Sequence, residues 1–208
     1  MKIKYLFFGL ITCMLIGEIT YLVIQIYELN TEVIECGNSY NNCERDRKSN
    51  QRAIIYNLFS ENVQLPDVRL INSKNESKNL SSIFMEDKLL IYRFYDETCS
   101  QCVEDELDIV KQLEDSVGIR NIAIISTFNL NKLISLIKRK EIRCSFYSYS
   151  ESFPIPIEND RYVASFFVLE KSLYTRFVYK AGGDQIINSP YFKRIINYIK
   201  KDETSNFQ

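Results

Sequence analysis

Cys99 and Cys102, two residues apart in the run Thr98-Cys99-Ser100-Gln101-Cys102, are the pair with the most evident chemistry in this sequence. Thiols at that spacing reach one another across one helical turn, so they can close a reversible disulfide, and the thiolate of one can attack the disulfide of another molecule. The same spacing serves zinc sites, which need further soft ligands to close a tetrahedron. Only Cys144 remains nearby in sequence, and the chain contains no His, so no metal site is expected. The missing imidazole also removes His-based triads, His general bases and His-ligated haem. Ala181-Gly182-Gly183-Asp184 is a turn signal without a helix-opening phosphate pattern after it, and no cofactor is expected. With 26 Lys and Arg against 27 Asp and Glu, no broad basic field exists for nucleic acid.

The flanking elements decide whether such a dithiol is reactive. Lys88 to Tyr95 reads as a buried strand ending just before Cys99, and Val103, Leu107, Val110, Leu113 and Val117 recur at helical spacing up to Gly118. A thiol at a helix N-terminus faces unpaired N–H groups and the positive end of the dipole, which lowers its pKa. Cys99 is therefore the expected nucleophile and Cys102 the resolving thiol. Glu104, Asp105, Glu106 and Asp108 read as a solvated acidic face that opposes ionisation of Cys99. Further along, Ile119 to Ser126 reads as a second buried strand. Leu130, Leu133, Ile134 and Ile137 mark a helix ending in Lys138, Arg139 and Lys140. Tyr162 to Glu170 and Leu173 to Lys180 form an antiparallel pair, and residues 189–201 a closing helix. Val63 to Ile71, interrupted by Pro66, is expected at a sheet edge. Residues 72–79 are expected to form a loop, Asn79 or Ser81 to cap the turn after it, and Phe153-Pro154-Ile155-Pro156 to form a rigid extended loop near the rim of the site.

The 208 residues suit one domain plus extra segments. After a cytoplasmic tip at 1–4, which carries Lys2 and Lys4, residues 5–27 are apolar apart from Glu18 and Gln25. As a helix this stretch is about 34 Å long, enough to cross a hydrocarbon core of about 30 Å. A retained transmembrane anchor is expected, since apolar residues continue past any plausible cleavage point; a lipoprotein signal ending at Cys13 is the rival. The lysines place the remainder on the far side of the inner membrane by the positive-inside tendency, in a periplasm-like space for a Gram-negative source. Residues 28–60 form a polar stalk. Leu22, Ile26, Leu29, Val33, Cys36, Tyr40 and Cys43 alternate in steps of four and three, as on a coiled-coil seam. Two readings stand level there: a parallel homodimer with Cys36 and Cys43 each facing its own copy, or a turn at Gly37 to Ser39 that lets Cys36 and Cys43 form an internal structural disulfide. The domain itself is expected over 61–201, followed by a polar tail at 202–208.

Strand, helix, strand, helix, strand, strand, helix, with Cys-x-x-Cys at the first strand-to-helix junction, resembles the thioredoxin fold, an α/β architecture with a mixed central sheet flanked by helices. The segments "NVQLPDVRLIN" and "NLSSIFMEDKLLIYRFYDETCSQC" look more specifically like the membrane-anchored TlpA/ResA branch. The resemblance implies a thiol-disulfide oxidoreductase whose partners are protein thiols and disulfides, with Cys99 and Cys102 catalytic and Thr98, Ser100 and Gln101 on the client-facing surface. Thr98 stands where the relatives carry Trp, and Arg93 where thioredoxins keep a buried acid for proton transfer. Ala164 and Ser165 match the family's cis-proline loop, a substrate-binding position. A cis bond to a non-proline residue costs about 2.5 to 4 kcal/mol, so that loop is expected to be reshaped. "YDETC" lacks the peroxiredoxin arrangement, and the fold's copper chaperones add a His ligand that this chain lacks. The alternative function is a thioredoxin-fold interaction module whose cysteines serve structure within an envelope complex.

Overall fold

A computed structural model describes residues 54–181 and 190–200 without a break, together with residues 17, 21, 25, 27, 30, 31, 34, 35 and 51. The chain divides into two compact units, Met1–Arg52 and Ala53–Gln208. In the first unit the described residues are helical, and the Thr31 hydroxyl donates to the Tyr27 carbonyl at 2.9 Å. Most of the expected anchor at 5–27, the stalk cysteines Cys36 and Cys43, the glycine turn at 182–183 and the tail at 202–208 lie outside the described residues. Among those described, no helix is long and apolar enough to cross a membrane.

The second unit is built on one seven-stranded sheet. Its strands are β1 (Arg69–Asn72), β2 (Ser77–Asn79), β3 (Lys88–Phe94), β4 (Ile122–Ser126), β5 (Ser145–Ser148), β6 (Ser165–Glu170) and β7 (Thr175–Lys180), in spatial order β2-β1-β5-β4-β3-β6-β7. The centre, β5-β4-β3, is parallel, whereas β6 and β7 on one side and β1 and β2 on the other run antiparallel. The helices are α1 (Ser100–Val117), α2 (Leu130–Lys140) and α3 (Pro190–Lys200).

Strand side chains alternate between faces, and both faces of the central strands are covered, so those strands are apolar almost throughout. Leu90, Tyr92 and Phe94 of β3, Ile122 and Ile124 of β4, and Phe166 and Val168 of β6 pack with Val103, Leu107, Val110 and Leu113 of α1, Leu133 and Ile137 of α2 and Phe192 and Ile195 of α3. The alternate residues, Leu89, Ile91, Ala123, Ile125, Phe167 and Leu169, face a second cluster with Leu65, Leu70, Leu80, Phe153, Ile155 and Ile157. The helical segment 54–60 joins the same unit through polar contacts. Asn57 Oδ1 accepts from Lys180 N at 3.2 Å, and the Ser60 carbonyl accepts from the Thr175 hydroxyl at 2.6 Å.

Four details differ from the sequence-based expectation. Strand β1 begins only at Arg69, past Pro66, and lies between β2 and β5 rather than at the sheet edge, because β2 pairs outside it. Residues 72–79 are a hairpin, with β2 paired to β1, rather than an unstructured loop. The turn at 80–82 is fastened by neither Asn79 nor Ser81 acting as cap. The Asp67 carboxylate, just past Pro66, accepts from Ser81 N and the Ser81 hydroxyl at 2.8 Å each, and those bonds hold its pKa below the usual carboxylate range. Strand β5 was not expected, because Ser145-Phe146-Tyr147-Ser148 is short, polar at both ends and only partly buried.

Candidate functional site

Strand β3 ends at Phe94, and a tight loop carries the chain from it into α1. Thr98 Oγ1 accepts from Tyr95 N at 3.1 Å and donates to the Arg161 carbonyl at 3.1 Å, while Thr98 N donates to the Tyr95 carbonyl at 3.1 Å. The loop is thereby stapled both to itself and to the segment before β6. Asp96 N donates to the Thr127 hydroxyl at 2.8 Å, and Arg161 Nη1 lies 3.5 Å from Glu97 Oε1. Thr98, expected on the client-facing surface, is buried and structural, and Ala164 and Ser165 are buried as well. Ser165 pairs with Arg93 across the β3–β6 ladder, and Ala164 supplies the carbonyl that receives Ala181 N at 2.8 Å. Among the described residues every peptide bond is trans.

Cys99 is the N-cap of α1 and is exposed. Its sulfur accepts from Cys102 N at 3.4 Å, and its carbonyl accepts Val103 N at 3.0 Å. A hydrogen bond from the Cys102 thiol, then the N–H groups of Cys102 and Gln101, lower the Cys99 pKa, against the opposing effects of desolvation and of the Asp105 charge. Cys102, half-buried one turn on, is pushed up to about 11 by its bond to Cys99 and by desolvation. Their mutual hydrogen bond, with the helix-end N–H groups behind it, therefore divides the two thiols into one whose ionisation is favoured and one that holds its proton. Ser100 and Gln101 are exposed between them, with the Gln101 amide held by Asp105 Oδ1 at 2.8 Å. Both cysteines are free, as is Cys144, a buried thiol pushed well up by desolvation. Among the described residues, no group of three or more His, Cys, Asp or Glu is placed to hold a metal ion.

Beneath the dithiol lies a residue that sequence reasoning assigned to the solvated face. Glu106 is 3% exposed and accepts the Tyr92 hydroxyl at 2.7 Å. Desolvation raises its pKa to about 7, and it contributes in turn to the elevation of Cys102. Its position was legible in the spacing: Glu106 stands four residues after Cys102 and four before Val110, on the inward stripe of α1. On the opposite face of β3, Arg93 is fully buried. Its Nε meets Glu158 Oε1 at 3.2 Å, Nη1 donates to the Tyr149 carbonyl at 3.1 Å and Nη2 to the Glu151 carbonyl at 2.6 Å. Glu158 Oε2 receives Phe153 N at 2.8 Å, so this ion pair ties segment 149–158 to the strand that leads into the dithiol.

No protein-family model matches the sequence, and no curated protein matches it. Solved structures do match in shape. Peroxidoxin BcpB from Mycobacterium tuberculosis aligns over 69% of this chain and 97% of its own with a TM-score of 0.53 at 10% identity. A candidate protein disulfide isomerase from Bacteroides thetaiotaomicron aligns over 72% and 95% with a TM-score of 0.51 at 11% identity. The fold is thioredoxin-like. Within that thioredoxin-like domain, the parallel β3-α1-β4 unit and the antiparallel β6-β7 pair form the frame, and Cys99 and Cys102 occupy the β3-to-α1 junction. Arg93, rather than an acid, is the buried ionisable residue on β3, and the buried carboxyl whose charge acts on Cys102 belongs to Glu106 on α1.

Proposed function

We propose that this protein is a thiol-disulfide oxidoreductase acting on protein clients, tethered by residues 5–27 to the inner membrane with its thioredoxin-like domain on the periplasmic side. The observation that carries the reading is an exposed Cys99 sulfur at the start of an 18-residue helix, receiving a backbone N–H and a thiol hydrogen bond that favour its thiolate. The Cys99 thiolate attacks one sulfur of a client disulfide; the client S–S bond breaks, its other sulfur leaves as a thiolate, and a mixed disulfide forms. Cys102 then gives its proton to the ionised Glu106 carboxylate and attacks Cys99. The closing Cys99–Cys102 bond expels the client's second thiolate, so the client gains two electrons and the dithiol loses two. A carboxyl titrating near 7 is matched to that proton transfer at neutral pH. Within thioredoxin-like proteins, the Leu65-Pro66-Asp67 opening and the apolar N-terminus favour the TlpA/ResA-like branch.

Alkylation of Cys99 in the full chain as a function of pH, read by mass spectrometry, tests the reading. The expected midpoint lies below the ordinary thiol value of about 8.5. A midpoint at or above that value would leave the interaction-module function instead. In the native host, Cys102→Ser is expected to accumulate mixed disulfides that Cys99→Ser does not.

A further inference from the structure

A groove of about 520 Å³ opens beside the dithiol, between the first turn of α1 and the outer face of α2. It begins at Ser100, next in the chain to Cys99. Its floor is Val103, Phe128 and Leu136, and Ser135 and Lys132 stand on the α2 wall. The floor is apolar and the rim polar, the usual composition of a recognition cleft. Lys132 is half exposed and only loosely engaged. Its Nζ lies 3.5 Å from the centre of the Phe128 ring and 3.9 Å from Asp96 Oδ1, so its charge is available to an incoming carboxylate.

Resting on the oxidoreductase reading above, we propose that this groove holds the client polypeptide: an extended segment with its cysteine at Cys99, a large apolar side chain two residues on, and a carboxylate beyond it facing Lys132. In an extended chain, residues i and i+2 point the same way about 7 Å apart, so a segment that presents its sulfur to Cys99 aims its i+2 side chain toward Val103, Phe128 and Leu136. Burying a leucine there is worth about ten- to a hundredfold in reaction rate with client. The groove is also lined by Glu104 and Arg139, which pair with each other at 2.6 Å, so the Lys132 charge is the one left to favour acidic over basic clients.

The test uses the reduced full chain and three disulfides: 2-hydroxyethyl disulfide, which needs only Cys99, and the symmetric disulfides of Gly-Cys-Gly-Leu-Gly-Asp and Gly-Cys-Gly-Gly-Gly-Asp, whose aspartate at i+4 points the same way as residue i+2. The wild type is expected to reduce the leucine peptide about ten- to a hundredfold faster than the glycine peptide. Ser135→Trp, on an exposed position of α2, is expected to erase that preference while leaving the rate with 2-hydroxyethyl disulfide unchanged. Lys132→Glu is expected to lower the rate with the leucine peptide and to reverse the preference for Asp over Lys at its last position. Equal rates for the two peptides, or a preference that survives Ser135→Trp, would overturn the groove while the redox reading stands. The same holds if Ser135→Trp changes only the oligomeric mass, which would give the groove to a second copy. No reaction of the wild type with 2-hydroxyethyl disulfide would remove both.

Discussion

Replacing Glu106 by glutamine should change how the stability of this domain depends on pH. The native carboxyl is buried against Tyr92 and titrates near 7, whereas in the unfolded chain it titrates near the ordinary glutamate value of about 4.3. Between those values the native state binds more protons than the unfolded state, so stability is fully present below about pH 4.3 and declines as pH rises through 7. The loss across that window amounts to about 4 kcal/mol at most, since each pH unit of difference is worth about 1.4 kcal/mol. A glutamine carbonyl can still accept the Tyr92 hydroxyl but carries no charge to desolvate. Glu106→Gln should therefore match the wild type near pH 5 and exceed it by about 2 to 3 kcal/mol at pH 8. Urea unfolding of the reduced protein at pH 5, 6, 7 and 8 reads this directly, and taking differences between the two proteins cancels the other carboxylates. Parallel curves for wild type and variant would refute the buried, proton-holding Glu106 and, with it, the proton acceptor assigned to Cys102.

Two further outcomes follow from the loops that frame the site. Arg93→Met leaves Glu158 buried without its guanidinium and should cost about 3 to 5 kcal/mol, lowering Tm by roughly 6 to 20 °C; the double variant Arg93→Met, Glu158→Gln should recover at least about 1 kcal/mol of that in thermal unfolding. Independent, additive losses would show that the pair is not coupled. Thr98→Val keeps the shape but strips Tyr95 N of its acceptor, for an expected cost of about 1 to 3 kcal/mol in urea unfolding, and a change below about 0.5 kcal/mol would dismiss the staple.

The frame was legible wherever a strand or helix had to bury a regular face. Lys88 to Phe94 and Ile122 to Ser126 declare themselves as continuous apolar runs because both sheet faces are covered, and Val103 to Val117 because its stripe repeats at helical spacing. Cys99 at the helix start was equally plain. Strand β5 escaped because its pairing with β4 and β1, rather than its own four residues, makes it a strand. Glu106 escaped for a different reason: among Glu104, Asp105 and Asp108, composition drew it to the surface while its place on the stripe drew it inward. The Arg93–Glu158 pair joins residues 65 positions apart, and no local pattern announces such a partnership.

The carboxyl at 106 and both sulfurs ride on one helix, so backbone hydrogen bonds within α1 set their spacing along the chain, while the hydroxyl of Tyr92 on β3 fixes the carboxyl against the sheet. The proposed proton donor and its acceptor therefore share one element, and that element is pinned to the very strand that leads into the dithiol.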